Sequence, residues 1–152
     1  MFKRSLTESP KRIRPGLVSH ILLQSGDIPT DNLAIARVEV EPGSHQQPHY
    51  DVPEQAYIIV TGNGRIKVGL EIADVQAGDL LYIPSNMDHA VENAGPDKLI
   101  YISVTVPAFD IEALYDTGQL KKSRRVVVIF ILIKLSQPEE RWRQRKKYRL
   151  QR

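Results

Sequence analysis

Between residues 17 and 106 one local pattern recurs: a short run rich in β-branched and aromatic residues, then a cluster of Gly, Pro, Asn, Asp or Ser. The runs are LVSHILLQ, LAIARVEV, QAYIIV, RIKVGL, DLLYIP, HAVENA and KLIYISVTV. The breaks are QSGDIPTDN, EPGSHQQP, TGNG, ADVQAGD, PSNMD and NAGPD. Branched and aromatic side chains pack well on a pleated surface, whereas the residues of the breaks supply turns. Many short strands at this spacing argue for an all-β sandwich or barrel. TGNG predicts a hairpin joining QAYIIV to RIKVGL, because Asn and Gly tolerate positive φ. The clear helical candidate is FDIEALYD, with Asp110 as cap and Gly118 as stop.

Two of the breaks carry a longer punctuation. The first reads Gly43, five residues, His49, one residue, Asp51, three residues, Gln55, six residues, Gly62. The second reads Gly78, five residues, Pro84, four residues, His89, three residues, Asn93. This spacing resembles the paired signature of the cupin superfamily, G-x5-H-x-H-x3,4-E-x6-G followed by G-x5-P-x-G-x2-H-x3-N. The resemblance covers roughly residues 33–107 and is to small single-domain cupins. It implies a double-stranded β-helix, or jelly roll, in which His49, Asp51, Gln55 and His89 converge on one metal. Two ligand types depart from the family pattern: Asp51 stands where His is usual, and Gln55 where Glu is usual. The resemblance also implies a homodimer, often with an N-terminal strand exchanged, and LVSHILLQ is the candidate for that strand.

Alternation along an extended chain puts residues i and i+2 on one face. His49 and Asp51 therefore share a face, as do Gln55 and Tyr57. Two imidazoles and a carboxylate form the set favoured by non-haem Fe(II) oxygenases, and Gln55 adds a neutral oxygen. This oxygen-rich set favours Fe or Mn, with Zn and Ni as further candidates. The competing reading is a barrel that binds no metal, with Gln55 as a buried hydrogen-bonding residue. His45 and Tyr57 are catalytic candidates: His45 as a replacement ligand or an acid–base near neutral pH, against the favoured reading of a solvated loop histidine, and Tyr57 as a pocket residue, against a plain core role. Tyr82 and Tyr101 are likewise read as core or pocket, and His20 as a strand residue. Lys67 alternates with Ile66 and Val68, so it points away from what they bury. Arg37 faces either solvent or an anionic substrate. Oxygenases that depend on 2-oxoglutarate are disfavoured, since no Arg follows His89 before Arg124.

Composition narrows the rest. The chain has no Cys, which excludes disulfides, thiolate zinc sites and cysteine nucleophiles. No glycine-rich phosphate loop or G-x-S-x-G elbow is present. The first residues lack an apolar signal core, so a cytoplasmic protein is expected. The net charge of +3 hides an asymmetry: residues 121–152 hold twelve Lys/Arg against two Glu, leaving nine against sixteen acids in residues 1–120. Four regions follow: an arm at 1–32, the barrel at 33–107, a short helix at 108–120, and a basic tail at 121–152 that the resemblance does not reach. The apolar run Val126–Ile133 falls far short of the roughly 18–20 residues that span a bilayer. It is read as a strand or as part of a non-native extension. The expected partner is a small molecule and a second copy of the chain, with neither specific nucleic-acid binding nor a membrane. The functions in view are a metal-dependent enzyme on a small polar organic molecule (oxygenase, isomerase or lyase) and a non-catalytic ligand-binding or sensor barrel.

Overall fold

The computed structural model describes residues 1–29 and 31–108, so the helix expected around 110–118 and the 121–152 tail lie outside the described residues. Among the described residues nine strands form: β1 (Lys11–Arg14), β2 (Leu17–Leu23), β3 (Ala34–Val40), β4 (Glu54–Thr61), β5 (Asn63–Val68), β6 (Glu71–Gln76), β7 (Leu80–Ile83), β8 (His89–Glu92) and β9 (Leu99–Val106). They build a six-stranded sheet, ordered β1-β2-β3-β9-β4-β7, and a three-stranded sheet, ordered β6-β5-β8. All the strand pairs within them are antiparallel. This is the all-β jelly roll that the motif spacing predicts.

Strict alternation builds the core. In AIARVEV, Ala34, Ala36, Val38 and Val40 are buried, while Ile35, Arg37 and Glu39 lie on the other face. Val38, Val40, Ile59, Leu99 and Tyr101 from the large sheet pack with Ile66, Val75 and Val91 from the small one. The two sheets thus share one apolar interior. Removing side chain from a site such as Leu99 would cost about 2–5 kcal/mol.

Two local expectations need correction, and one strand lies outside the runs read from the sequence. TGNG is not a hairpin: β4 pairs with β7 and β9, whereas β5 pairs with β6 and β8, so the chain crosses between sheets here. Gly62 makes the crossing at φ 83, where a Cβ would stand 2.4 Å from the Lys98 carbonyl oxygen. The hairpin lies one step later, at the two-residue Gly69-Leu70 turn between Val68 and Glu71. The ADVQAGD segment is not wholly a turn, since Glu71–Gln76 is strand β6. KRIR, which no apolar pattern marks, forms strand β1 against β2.

Two motif residues prove to be structural clamps. Asn93 is fully buried, donates to the carbonyls of Val40 and Asp97 (both 2.8 Å), and accepts from the Gly95 amide at 3.0 Å. A buried amide with three satisfied bonds fixes the 93–97 turn against the end of β3. At the second position, Pro84 accepts from the Met87 amide (3.2 Å), and Asn86 takes φ 59, which Asn tolerates. The Asn86 amide donates to the Asp51 carbonyl at 2.8 Å, tying the second half-motif to the first.

Candidate metal centre

Segment 43–49 runs antiparallel to β8 as an irregular extra strand. Its amide of Gln46 bonds the Val91 carbonyl, and its Ser44 carbonyl accepts from Asn93. At the end of this ladder His49 and His89 exchange both backbone hydrogen bonds, at 3.1 and 2.8 Å. Forty residues apart in sequence, they are direct cross-strand partners, and their rings lie 4.2 Å apart centre to centre.

Both imidazoles are oriented in the same way. His49 Nδ1 lies 2.8 Å from the Gln47 carbonyl, and His89 Nδ1 lies 2.9 Å from the Met87 carbonyl. A carbonyl only accepts, so each Nδ1 carries the hydrogen and each Nε2 presents its lone pair. This is the arrangement by which proteins orient metal-binding histidines. Asp51, two residues past His49, turns to the same side, with Oδ2 3.6 Å from His49 Nε2. His49, Asp51 and His89 are all buried, and each offers one ligand atom within 4.8 Å of the others.

Charge and desolvation complete the site. Burial pushes the His89 imidazolium down to about 4, the closeness of the His49 ring adds to the push, and the Met87 carbonyl works against it. His89 is therefore neutral at pH 7, with the Nε2 lone pair facing the site. Buried Gln55 donates its amide to Asp51 Oδ2 at 2.5 Å, and its own Oε1 is buried without a hydrogen-bond partner. Such an orphaned acceptor is costly unless something fills the site. Tyr57 lies on the same face of β4, with its hydroxyl 3.2 Å from His89 Nε2. Its ring meets His89 edge-on and stacks on Tyr101 at 4.6 Å. The donor set and the orphaned oxygen both fit a divalent transition metal.

Other candidates fall away from this centre. His45 is exposed, its ring is engaged by the Gln47 side chain at 2.9 Å, and it is outside the converging group. Tyr82 is 58% exposed and bonded to Glu54, so it lines no interior. Glu54 holds its phenol above the usual range, mainly through that hydrogen bond. Arg37 pairs with Glu39 on the outer face of β3, and Lys67 lies on the face opposite buried Ile66. Gln46 is the residue that the sequence reading missed. It links Tyr101 (3.3 Å) to the neighbourhood of His49 Nε2 (3.4 Å), and its place three residues before His49 in GSHQQPH was the available signal.

Comparison with known proteins agrees with the geometry. Residues 36–105 match the family described as Cupin domain. A 79-residue stretch is 34% identical to oxalate decarboxylase OxdC of Bacillus subtilis, covering 47% of this chain and 20% of that protein. An uncharacterised protein of Methanocaldococcus jannaschii is 32% identical over 81 residues, covering 53% of this chain and 64% of that one. The match thus spans about a fifth of the first relative's length and just under two thirds of the second's. An RmlC-like cupin from Shewanella frigidimarina superposes with a TM-score of 0.62 at 20% identity, over 72% of this chain and 94% of that one. A Thermotoga maritima protein described as a predicted oxalate decarboxylase does so with a TM-score of 0.62 at 23% identity, over 70% and 99%. At this identity the superpositions show the fold.

Proposed function

The chain carries a cupin domain at residues 36–105, and from that premise we propose that it is a metal-dependent enzyme acting on a small polar organic molecule. The observation that carries this reading is the pair of Nδ1–H imidazoles aimed, with Asp51, at one buried point. His49, Asp51 and His89 would hold a divalent transition metal, with Fe or Mn favoured by two imidazoles and one carboxylate. When bound, such a metal supplies Lewis acidity or oxygen activation. The protein's own contribution is orientation and dryness. The Gln47 and Met87 carbonyls fix the rings, Gln55 fixes the carboxylate, and the Tyr57–Tyr101 stack walls one side with apolar surface and a phenolic donor. The likeness to oxalate decarboxylase supports a small organic acid as the substrate class.

A second reading, a sensor barrel that binds its ligand without metal, draws on one contact. The Gln55–Asp51 hydrogen bond already satisfies one carboxylate oxygen. Native purification followed by elemental analysis separates the two. A transition metal near one per chain, with turnover of small organic acids that a chelator abolishes, supports the enzyme. Equal absence of metal from wild type and His49→Ala removes it.

The homodimer belongs to the same proposal. The outer face of the large sheet exposes Ile58, Val60, Leu80 and Tyr82, which a second copy would cover. A monomer by light scattering would remove that part alone.

A further inference from the structure

Gln55 carries an oxygen that nothing at the centre satisfies. The residue is 5% exposed, and its amide nitrogen stands 2.5 Å from Asp51 Oδ2. A carboxylate oxygen only accepts, so that atom is the NH2 group and the other end of the amide is the carbonyl oxygen. This Oε1 is buried without a hydrogen-bond partner. An acceptor withdrawn from water in this way is costly to leave empty, and a hydrogen donor is what it lacks.

The register of the large sheet shows what surrounds this oxygen. Along the inward face Val38, Tyr101 and Ile59 form one row, Ala36, Ser103 and Tyr57 the next, and Ala34, Thr105 and Gln55 the last. The first row is bulky and belongs to the core. In the other two, β3 offers only methyl groups and β9 only hydroxyls. Ser103 lies on this inward face yet is only partly buried. An inward residue that solvent still reaches, among small and polar neighbours, marks room for a ligand between the sheets. The Tyr57 contact with His89 puts that room beside the metal centre.

From this arrangement we infer that the site takes a small 2-hydroxy monocarboxylate, whose hydroxyl donates to Gln55 Oε1. The inference rests on the metal-centre reading above. The orphaned oxygen needs a hydroxyl hydrogen, which a plain carboxylate or dicarboxylate at neutral pH does not bring. Gln46 takes the Tyr101 hydroxyl on its own oxygen at 3.3 Å, so its amide nitrogen, 3.4 Å from His49 Nε2, is a donor suited to a carboxylate. Asp51 is bonded to Gln55 and lies beside His49, with no Lys or Arg paired to it among the described residues. A divalent ion held there keeps one positive charge, which a single carboxylate balances. A second carboxylate would be a buried charge without a partner.

Calorimetry on the full-length protein saturated with Mn(II) provides the test, with glycolate and methoxyacetate as the first two probes. Both have a carboxylate and a neighbouring oxygen, but only glycolate brings a hydroxyl hydrogen. Wild type should bind glycolate about 10–100-fold more tightly, the penalty for leaving a buried acceptor unsatisfied. Gln55→Met keeps the chain length without the amide oxygen and should bring that ratio to about one. Tartronate, which adds a second carboxylate to glycolate, should bind wild type more weakly than glycolate. A ratio near one in wild type, a preference that survives Gln55→Met, or tartronate binding as tightly as glycolate overturns the inference and leaves the metal centre standing. A glycolate complex with Gln55 Oε1 on the metal, and no hydroxyl against it, does the same. If Mn(II) itself does not bind, the metal centre and the inference fall together.

Discussion

His20 and His89 are both buried histidines with a carboxylate nearby, yet the structure uses them in opposite ways. On β2, His20 Nδ1 lies 3.3 Å from the Ser9 hydroxyl and Nε2 lies 3.3 Å from Glu39 Oε1. Glu39 is in turn held by Arg37 and Lys98, which keep its carboxyl below the usual range against the opposing effect of its own burial. Both ring nitrogens thus have protein oxygens as neighbours, and the ring fastens the N-terminal arm to the outer face of the large sheet. Arg4 adds a second clasp there, with two bonds to Asp27 at 2.6 and 2.8 Å. His89 spends one nitrogen on a backbone carbonyl and turns the other toward His49, Asp51 and Tyr57. Burial beside a carboxylate does not mark a ligand. Convergence of the second ring nitrogen with another imidazole and a carboxylate does.

The comparison breaks first, if it is wrong, at the ligands themselves. Residues that merely orient a ligand change metal affinity by about 10–100-fold, so removing a ligand should exceed that. His49→Ala or His89→Ala should lower Mn(II) affinity more than about 100-fold by calorimetry, while His20→Ala leaves affinity and stoichiometry unchanged. Equal losses at His20 and His89 would erase the distinction.

Acid should separate the regions next. In the unfolded chain His89 takes up a proton near 6.5, but in the fold only near 4, so below 6.5 the unfolded state binds more protons. The stabilisation is complete above pH 6.5 and drains away as pH falls toward 4. The metal-free protein should lose roughly 3 kcal/mol over that window, read by urea unfolding. His89→Asn should flatten the profile there. An unchanged slope in that variant would mean that the acid sensitivity lies elsewhere.

Gln55→Leu tests the carboxylate's support. It removes the 2.5 Å bond to Asp51 while leaving all three ligands, so affinity should fall by about 10-fold. The smallest effect is expected at the clasp. His20→Gln should cost about 1 kcal/mol of stability, the worth of a typical hydrogen bond, and leave metal binding untouched.

Sequence and structure part company where contacts are non-local. His49 and Asp51 share a face because an extended chain alternates, and Gln55 and Tyr57 do so for the same reason; local periodicity is enough for both. The buried row Ala34, Ala36, Val38, Val40 is equally plain in AIARVEV. Sheet membership is different: TGNG has turn chemistry whether its flanking strands pair or part, and only their distant partners, β7 and β9 against β6 and β8, show that they part. Strands β1 and β6 escaped notice because KRIR and EIADVQ are mostly exposed, so no burial imposes a pattern on them. The facing of His49 and His89 depends on a ladder between segments forty residues apart, which spacing suggests only through family resemblance. Tyr57 and Gln46 acquire their roles only once that ladder is formed.

The central claim is that His49, Asp51 and His89 hold one metal. Crystals of the full-length protein soaked in Mn(II) and measured for anomalous scattering test it most directly. The account predicts one strong peak per chain, within bonding distance of His49 Nε2, His89 Nε2 and an Asp51 carboxylate oxygen. A peak confined to surface acids, or a Gln55–Asp51 bond intact around an empty centre at saturating Mn(II), would contradict it.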